Sequence, residues 1–223
     1  MRIFFIHGFG EKPDIFNYIA PAVGGEQVFI DVWKELENEN SEGLNAADFG
    51  KKLVTAYNIS SHDWVIGHSM GGWIAYHMKQ HCSCTIVQVS SFTDLKKVIT
   101  PVRSRKLAYW LAGKGIFFNP VMKRLLTIPY RKLPSRKVND DNFDRLIASG
   151  KEAVIKQLKL IYEPVSAGTA APDLRIHAVK DMIVRPPAEA FHEVPGDHYS
   201  LVTYPEAVLQ PIVALLKRNE NII

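Results

Sequence analysis

Cysteine is scarce in this sequence: among 223 residues there are two, Cys82 and Cys84, separated by one residue. That spacing is too close for an ordinary bridge between secondary elements, and two ligands are too few for a metal cage, so free thiols near the start of a strand are expected. Long apolar runs are missing as well. Stretches such as Ile3 to Ile6 and Ile212 to Leu216 fall far short of the roughly 20 residues a membrane-spanning helix needs, so no transmembrane segment is expected. Met1-Arg2 leads straight into four apolar residues and His7-Gly8, without the apolar region and cleavage site of a signal peptide, which reads as cytoplasmic. Internal repeats and low-complexity tracts are absent. Hydrophobic residues at 47% and charged residues at 22% are ordinary globular proportions, which exclude disorder and a fibrous architecture. The length suits one domain that may carry an insertion.

Negative charge is missing from one stretch. Between Lys96 and Lys137 there are twelve Lys or Arg and no Asp or Glu, while the rest of the chain is net acidic. The same stretch is rich in aromatic and aliphatic residues, among them Tyr109, Trp110, Phe117, Phe118 and Leu125. Charge segregation of this kind fits either the solvated face of amphipathic helices or attraction to something anionic: a carboxylated or phosphorylated acyl donor, an acidic carrier protein or an anionic lipid surface. Nucleic acid is not expected, since no recognised motif for it is present.

Five short runs rich in β-formers, Arg2 to Ile6, Gln27 to Asp31, Asp63 to Gly67, Thr85 to Ser90 and Leu174 to Val179, predict buried strands, with a weaker sixth at Phe191 to Pro195. Helical spacing lies between them, in Leu44 to Tyr57 and Trp73 to Met78. Alternating strand and helix predicts a mostly parallel α/β sheet of about six strands with helices on both faces. Residues 1–90 and 173–223 form the expected core, and Ser91 to Pro172 does not fit the alternation and reads as an insertion. A last helix is expected from about Pro205 to Arg218, kinked or broken at Pro211.

Gly67-His68-Ser69-Met70-Gly71 follows a strand run and precedes a helical pattern. A serine on such a turn presents its Oγ above the sheet edge, and the turn aims the Met70 N–H at the attacked oxygen. A serine hydroxyl needs a base, and the base needs an orienting acid. Of eight histidines, only His198 lies in a loop between the last strand and the last helix; His177 and His192 sit within strand runs, where a hydrogen-bonded core histidine is expected. Asp181, just past the Leu174 to Val179 run, is the expected acid, with Asp94 as the competitor. His7-Gly8-Phe9-Gly10 closes the first strand, where the Phe9 N–H can supply a second oxyanion donor.

These motifs, with Lys180 to Pro186 and Gly196 to Leu201, resemble the α/β-hydrolase superfamily and are similar to its serine carboxylesterases. The resemblance covers the chain outside the insertion and implies a helical lid for Ser91 to Pro172. It also implies two preceding strands that this sequence does not contain. The expected activity is cleavage of a small-molecule ester or thioester, anionic and carrier-bound ones included, through an acyl-serine intermediate with no metal or organic cofactor. The alternatives are a cofactor-free lyase acting on a carboxylated small molecule, and a non-catalytic ligand-binding protein on a hydrolase scaffold.

Overall fold

In the computed structural model, residues 1–100, 102–166 and 170–220 are described; the expected insertion therefore has four of its positions, 101 and 167–169, outside the described residues. Strands β1 (Arg2–Ile6), β2 (Glu26–Ile30), β3 (Trp64–His68), β4 (Thr85–Val89), β5 (Leu174–Ala178) and β6 (His192–Val194) form one six-stranded sheet in the order β2-β1-β3-β4-β5-β6. Every pairing is parallel. The strand runs read from the sequence match these to within a residue or two.

The helices are α1 (Val32–Glu37), α2 (Ala46–Ala56), α3 (Met70–Cys82), α4 (Arg105–Gly113), α5 (Pro120–Leu126), α6 (Arg136–Ala148), α7 (Lys151–Tyr162), α8 (Ser200–Thr203) and α9 (Pro205–Glu220). Successive strand residues face opposite ways, so β1 feeds two cores. Phe4 and Ile6 join Phe49, Leu53, Ile74 and Met78 on one face, and Ile3 and Phe5 join Phe16, Val208 and Ile212 on the other. The central strands are apolar on both sides because both faces are covered. Asn45 caps α2 by accepting the Ala47 and Asp48 amides at 3.0 Å each, the local signal that starts this helix.

Three local expectations are corrected. Helix α9 runs unbroken through Pro211: proline removes one rung, and Val208 and Ile212, both fully buried, hold the helix against the sheet on either side of it. Cys82 and Cys84 are joined to each other; left-handed Ser83 (φ 51°) turns the chain and brings their Cα atoms to 5.2 Å. His192 is exposed on the short edge strand, whereas His177 is buried as expected.

The segment read as an insertion, Ser91 to Pro172, carries α4 to α7 among its described residues. Its last helix belongs to the main body: Leu160 and Ile161 sit in the core beside α3, and the Trp73 indole N–H donates to the Leu160 carbonyl at 3.0 Å. Its first segment is stitched to the loop after β5, where Val98 and Val184 form an antiparallel bridge and the Ile99 amide donates to the Ile183 carbonyl at 2.8 Å.

Candidate active site

Ser69 stands alone between the end of β3 and the start of α3, at φ 50° and ψ −120°. That is a strained conformation for a residue with a side chain, costing about 1–3 kcal/mol, and it persists only where the surroundings fix it. They do so here: the Ser69 amide donates to the Val89 carbonyl at 3.0 Å, and the Ser69 carbonyl accepts the Ser91 hydroxyl at 2.6 Å. The flanking glycines are obligatory. A Cβ on Gly71 would lie 1.9 Å from the Ile6 carbonyl oxygen, and one on Gly67 would lie 2.4 Å from the Gly72 nitrogen.

His198 and Asp181 are brought together by the loops after β6 and β5. The Nδ1–H of His198 donates to Asp181 Oδ2 at 2.8 Å, and Asp181 Oδ1 accepts the Ile183 and Val184 amides, each at 2.8 Å. Burial opposes charge on this carboxyl, but His198 and the two amides hold it below its ordinary range. Burial likewise penalises the imidazolium of His198, yet Asp181 first and Glu11 next raise it above the ordinary histidine value. Asp94 does something else: it caps the short turn Leu95–Lys97, accepting the Lys96 amide at 2.9 Å. His177 sits behind Asp181 and donates from Nε2 to the Val184 carbonyl at 3.1 Å.

One buried acid had no sequence signal. Glu11 Oε2 accepts the Gly8 amide at 2.6 Å and faces His68 Nδ1 at 2.9 Å. The other ring nitrogen, His68 Nε2, faces the His198 carbonyl at 2.8 Å. A carbonyl only accepts, so Nε2 carries a proton. Burial works against ionised Glu11, and His68, His198 and the Gly8 amide outweigh it to hold its carboxyl below the usual range. The pair thus ties the loop after β1 to the loop carrying His198, directly beneath Ser69.

Glu11, His68 and His198 also place one potential ligand atom each within 4.8 Å of one another. Each is already engaged, by the Gly8 amide, the His198 carbonyl and Asp181 respectively, so a cation here would have to displace the contacts that order the site.

The loop His7 to Gly10 is fixed from several sides. Val32 N–H donates to His7 Nε2 at 3.0 Å, so Nδ1 carries the proton and donates to the Gly8 carbonyl at 2.9 Å. The amides flanking Phe9 are both taken, Gly8 by Glu11 and Gly10 by Gln157 Oε1 at 2.9 Å. Asn142 Nδ2 donates to the Phe9 carbonyl at 3.1 Å and Arg145 Nε to the Gly10 carbonyl at 3.1 Å. Three of these partners, Asn142, Arg145 and Gln157, come from α6 and α7. Met70 begins α3, so its amide is at the positive end of that helix, beside Ser69.

Ser69 and His198 open into one cavity of about 260 Å³, walled by Phe9 and Phe92 from the core and by Phe117, Phe118, Phe143 and Leu158 from the insertion. None of the described residues that wall it is Lys or Arg. The cavity thus brings the Ser69 hydroxyl and the His198 imidazole, held by Asp181, to one mostly apolar chamber.

No family model matches this sequence, and no curated protein matches it. Among solved structures, the chain is similar to a bromoperoxidase from Bacillus anthracis, at TM-score 0.71 and 14% identity over 97% of this chain and 91% of that one. It is similar to a thermophilic esterase from Thermogutta terrifontis at TM-score 0.71 and 16% identity, over 98% and 90% of the two chains. An esterase from a Rhodococcus species gives TM-score 0.70 and 14% identity, over 97% and 90%. With its all-parallel six-stranded sheet and superposition on these structures over nearly its whole length, the chain has the α/β-hydrolase fold.

Proposed function

We propose that this chain is a serine hydrolase cleaving a carboxylic ester or thioester through an acyl-serine intermediate, with Ser69 as nucleophile, His198 as base and Asp181 as orienting acid. The observation that carries the reading is the hydrogen bond at 2.8 Å by which buried Asp181 holds His198, with His198 and Ser69 on its strained turn lining one cavity. As Ser69 Oγ attacks the acyl carbon, its proton passes to His198 Nε2, and the carbonyl oxygen becomes an oxyanion held by the Phe9 and Met70 amides. Collapse expels the alcohol or thiol, which takes the proton from His198. Water, deprotonated by the same nitrogen, then attacks the acyl-serine and releases the acid.

The cavity supports an uncharged acyl chain of several carbons, because its walls are mostly apolar and none of the described residues in them is Lys or Arg. This favours ester cleavage over the lyase alternative, in which basic residues would hold a carboxylated substrate. It also moves any role of the insertion's positive charge outside the acyl chamber.

The test is labelling with a fluorophosphonate and turnover of a nitrophenyl ester series from acetate to dodecanoate. Ser69→Ala should retain the fold and lose both labelling and turnover, the latter by about 10⁴-fold or more, and the wild type should prefer intermediate chain lengths. Undiminished turnover in Ser69→Ala would remove the nucleophile assignment.

A further inference from the structure

The insertion's outer surface differs from the rest of the molecule. Eight of the fourteen large hydrophobic residues exposed among the described residues lie between 99 and 128; Ile99 and Leu126 also wall the chamber, and the other six make a clustering that ordinary surface scatter does not produce. They fall on stripes. On α4, Ala108 and Ala112 are buried, while Leu107 and Trp110, 46% and 54% exposed, share the opposite face with Lys106 and Lys114 at helical spacing. On α5 and the turn after it, Val121, Leu125 and Ile128 project outward, 68%, 55% and 47% exposed, with Arg124 on the same stripe.

The charge of this surface is largely uncompensated. Arg105, Lys123, Arg136 and Lys137 are matched by carboxylates. Among the described residues, Arg103, Lys106, Lys114, Arg124, Arg131 and Lys132 have no carboxylate within 4.0 Å. Beside α5 lies a cleft of about 420 Å³ walled by Lys123, Arg124, Arg131 and Arg136, with Thr127 and the paired Asp140 and Asp144. The inner sides of the same segments, through Ala108, Phe117, Phe118 and Leu126, wall the chamber over Ser69.

We propose that the α4–α5 face docks on an anionic phospholipid surface. The aliphatic side chains and Trp110 enter the boundary between headgroups and acyl chains, and the unpaired cations, Arg124 and Arg131 above all, meet phosphate. An acidic protein would satisfy the cations but would leave Trp110, Val121 and Leu125 without hydrocarbon to bury in; a lipid surface supplies both. Given the ester hydrolase reading above, on which this second step rests, the face would present a membrane-derived acyl ester to the apolar chamber on its inner side.

The test uses the full chain with vesicles of ether-linked phosphatidylcholine, alone or mixed with ether-linked phosphatidylglycerol, lipids that the proposed chemistry does not cleave. Binding, read by flotation, is expected to the mixed vesicles, weak on phosphatidylcholine alone, and lowered by salt. Trp110 is the exposed member of four tryptophans, so its emission should shift blue on binding, and Trp110→Phe should remove that shift. Arg124→Glu/Arg131→Glu and Trp110→Ser/Leu125→Ser should each weaken binding about tenfold or more, since each Lys or Arg near such a surface and each buried apolar group contributes on that scale. Both should leave turnover of a water-soluble ester unchanged. Absence of binding to the mixed vesicles, equal binding by the variants, or saturable capture by an acidic carrier protein with none by vesicles would each overturn the docking proposal. Loss of soluble-ester turnover in the wild type, with vesicle binding intact, would instead overturn the hydrolase reading and leave the docking surface standing.

Discussion

The two halves of the insertion are both helical, yet they are built on opposite plans. Helices α6 and α7 turn polar side chains inward: Asn142, Arg145 and Gln157 hold the backbone of residues 9–10, and the Ser135 hydroxyl, just before α6, bonds the buried carboxylate of Asp197 next to His198. Helices α4 and α5 turn apolar and cationic side chains outward. One half holds the backbone beside Ser69; the other walls the chamber with its inner side and turns an apolar, cationic face outward. Sequence adjacency therefore says little about role here, and the direction in which each polar group points says much.

The comparison separates rate from access, and it can be broken at the rate end first. Asp181→Asn should lower kcat by about 10⁴-fold by releasing His198 into the wrong tautomer. Asp94→Asn, whose carboxylate only caps a turn, should leave most activity. Equal losses in steady-state assays of the two would dissolve the distinction between site and scaffold carboxylates.

A smaller effect is expected on the inner half. Asn142→Ala removes the donor to the Phe9 carbonyl and should reduce kcat by about ten- to a hundredfold through a misplaced oxyanion loop, with KM little changed. A rise in KM alone would mean that α6 serves binding rather than the loop.

Smaller still is the effect of the Glu11 charge. His198 is raised above its ordinary value in part by Glu11, so the acidic limb of kcat/KM should lie above about 6.5. Activity falls as pH drops through that limb, because the base becomes protonated. Glu11→Gln removes the charge and should move the limb to lower pH, with a modest loss of kcat. A limb that stays in place would reduce Glu11 to a strut.

The outer half should matter least to chemistry. Trp110→Ser with Leu125→Ser should alter stability by no more than about 0.5 kcal/mol per site, as for exposed positions generally, measurable by urea denaturation. A large loss would show that these side chains pack against the fold.

The legible parts of this molecule were those encoded locally. Most strand runs are bounded by a glycine or aspartate turn, Thr85–Val89 between serine turns excepted, and the turn around Ser69 and the loops of Asp181 and His198 lie at strand ends, where chain order places them. Glu11 was not legible, because its partners are Gly8 and His68 and the second is 57 residues away. The anchors on α6 and α7 were missed for the same reason: Asn142 meets Phe9 133 residues back, and no pattern marks so distant a partner. A signal did exist. Asn139, Asn142 and Leu146 share one buried stripe of α6, and amides at positions where a packed helix would carry aliphatics imply polar partners across the interface. Pro211 misled because the tertiary packing of α9 outweighs one missing rung.

The stitching of the insertion has a consequence for exchanging parts between relatives. Residues 97–99 are paired with 183–185, and α7 is buried in the core, so a graft cut at 91 and 172 would discard the contacts that hold the loop after β5 and the backbone of residues 9–10 along with the chamber's cover. Cuts near Ser104 and Thr127 enclose α4 and α5 alone, at a capping serine and at the turn after α5. Swapping only that segment would give a chimera that inherits a new outer face, and with it new chamber walls at positions 108, 117, 118 and 126, while keeping the parent's Ser69 turn and Asp181–His198 pair, which makes this pair of helices the natural unit for re-addressing the protein to a different surface.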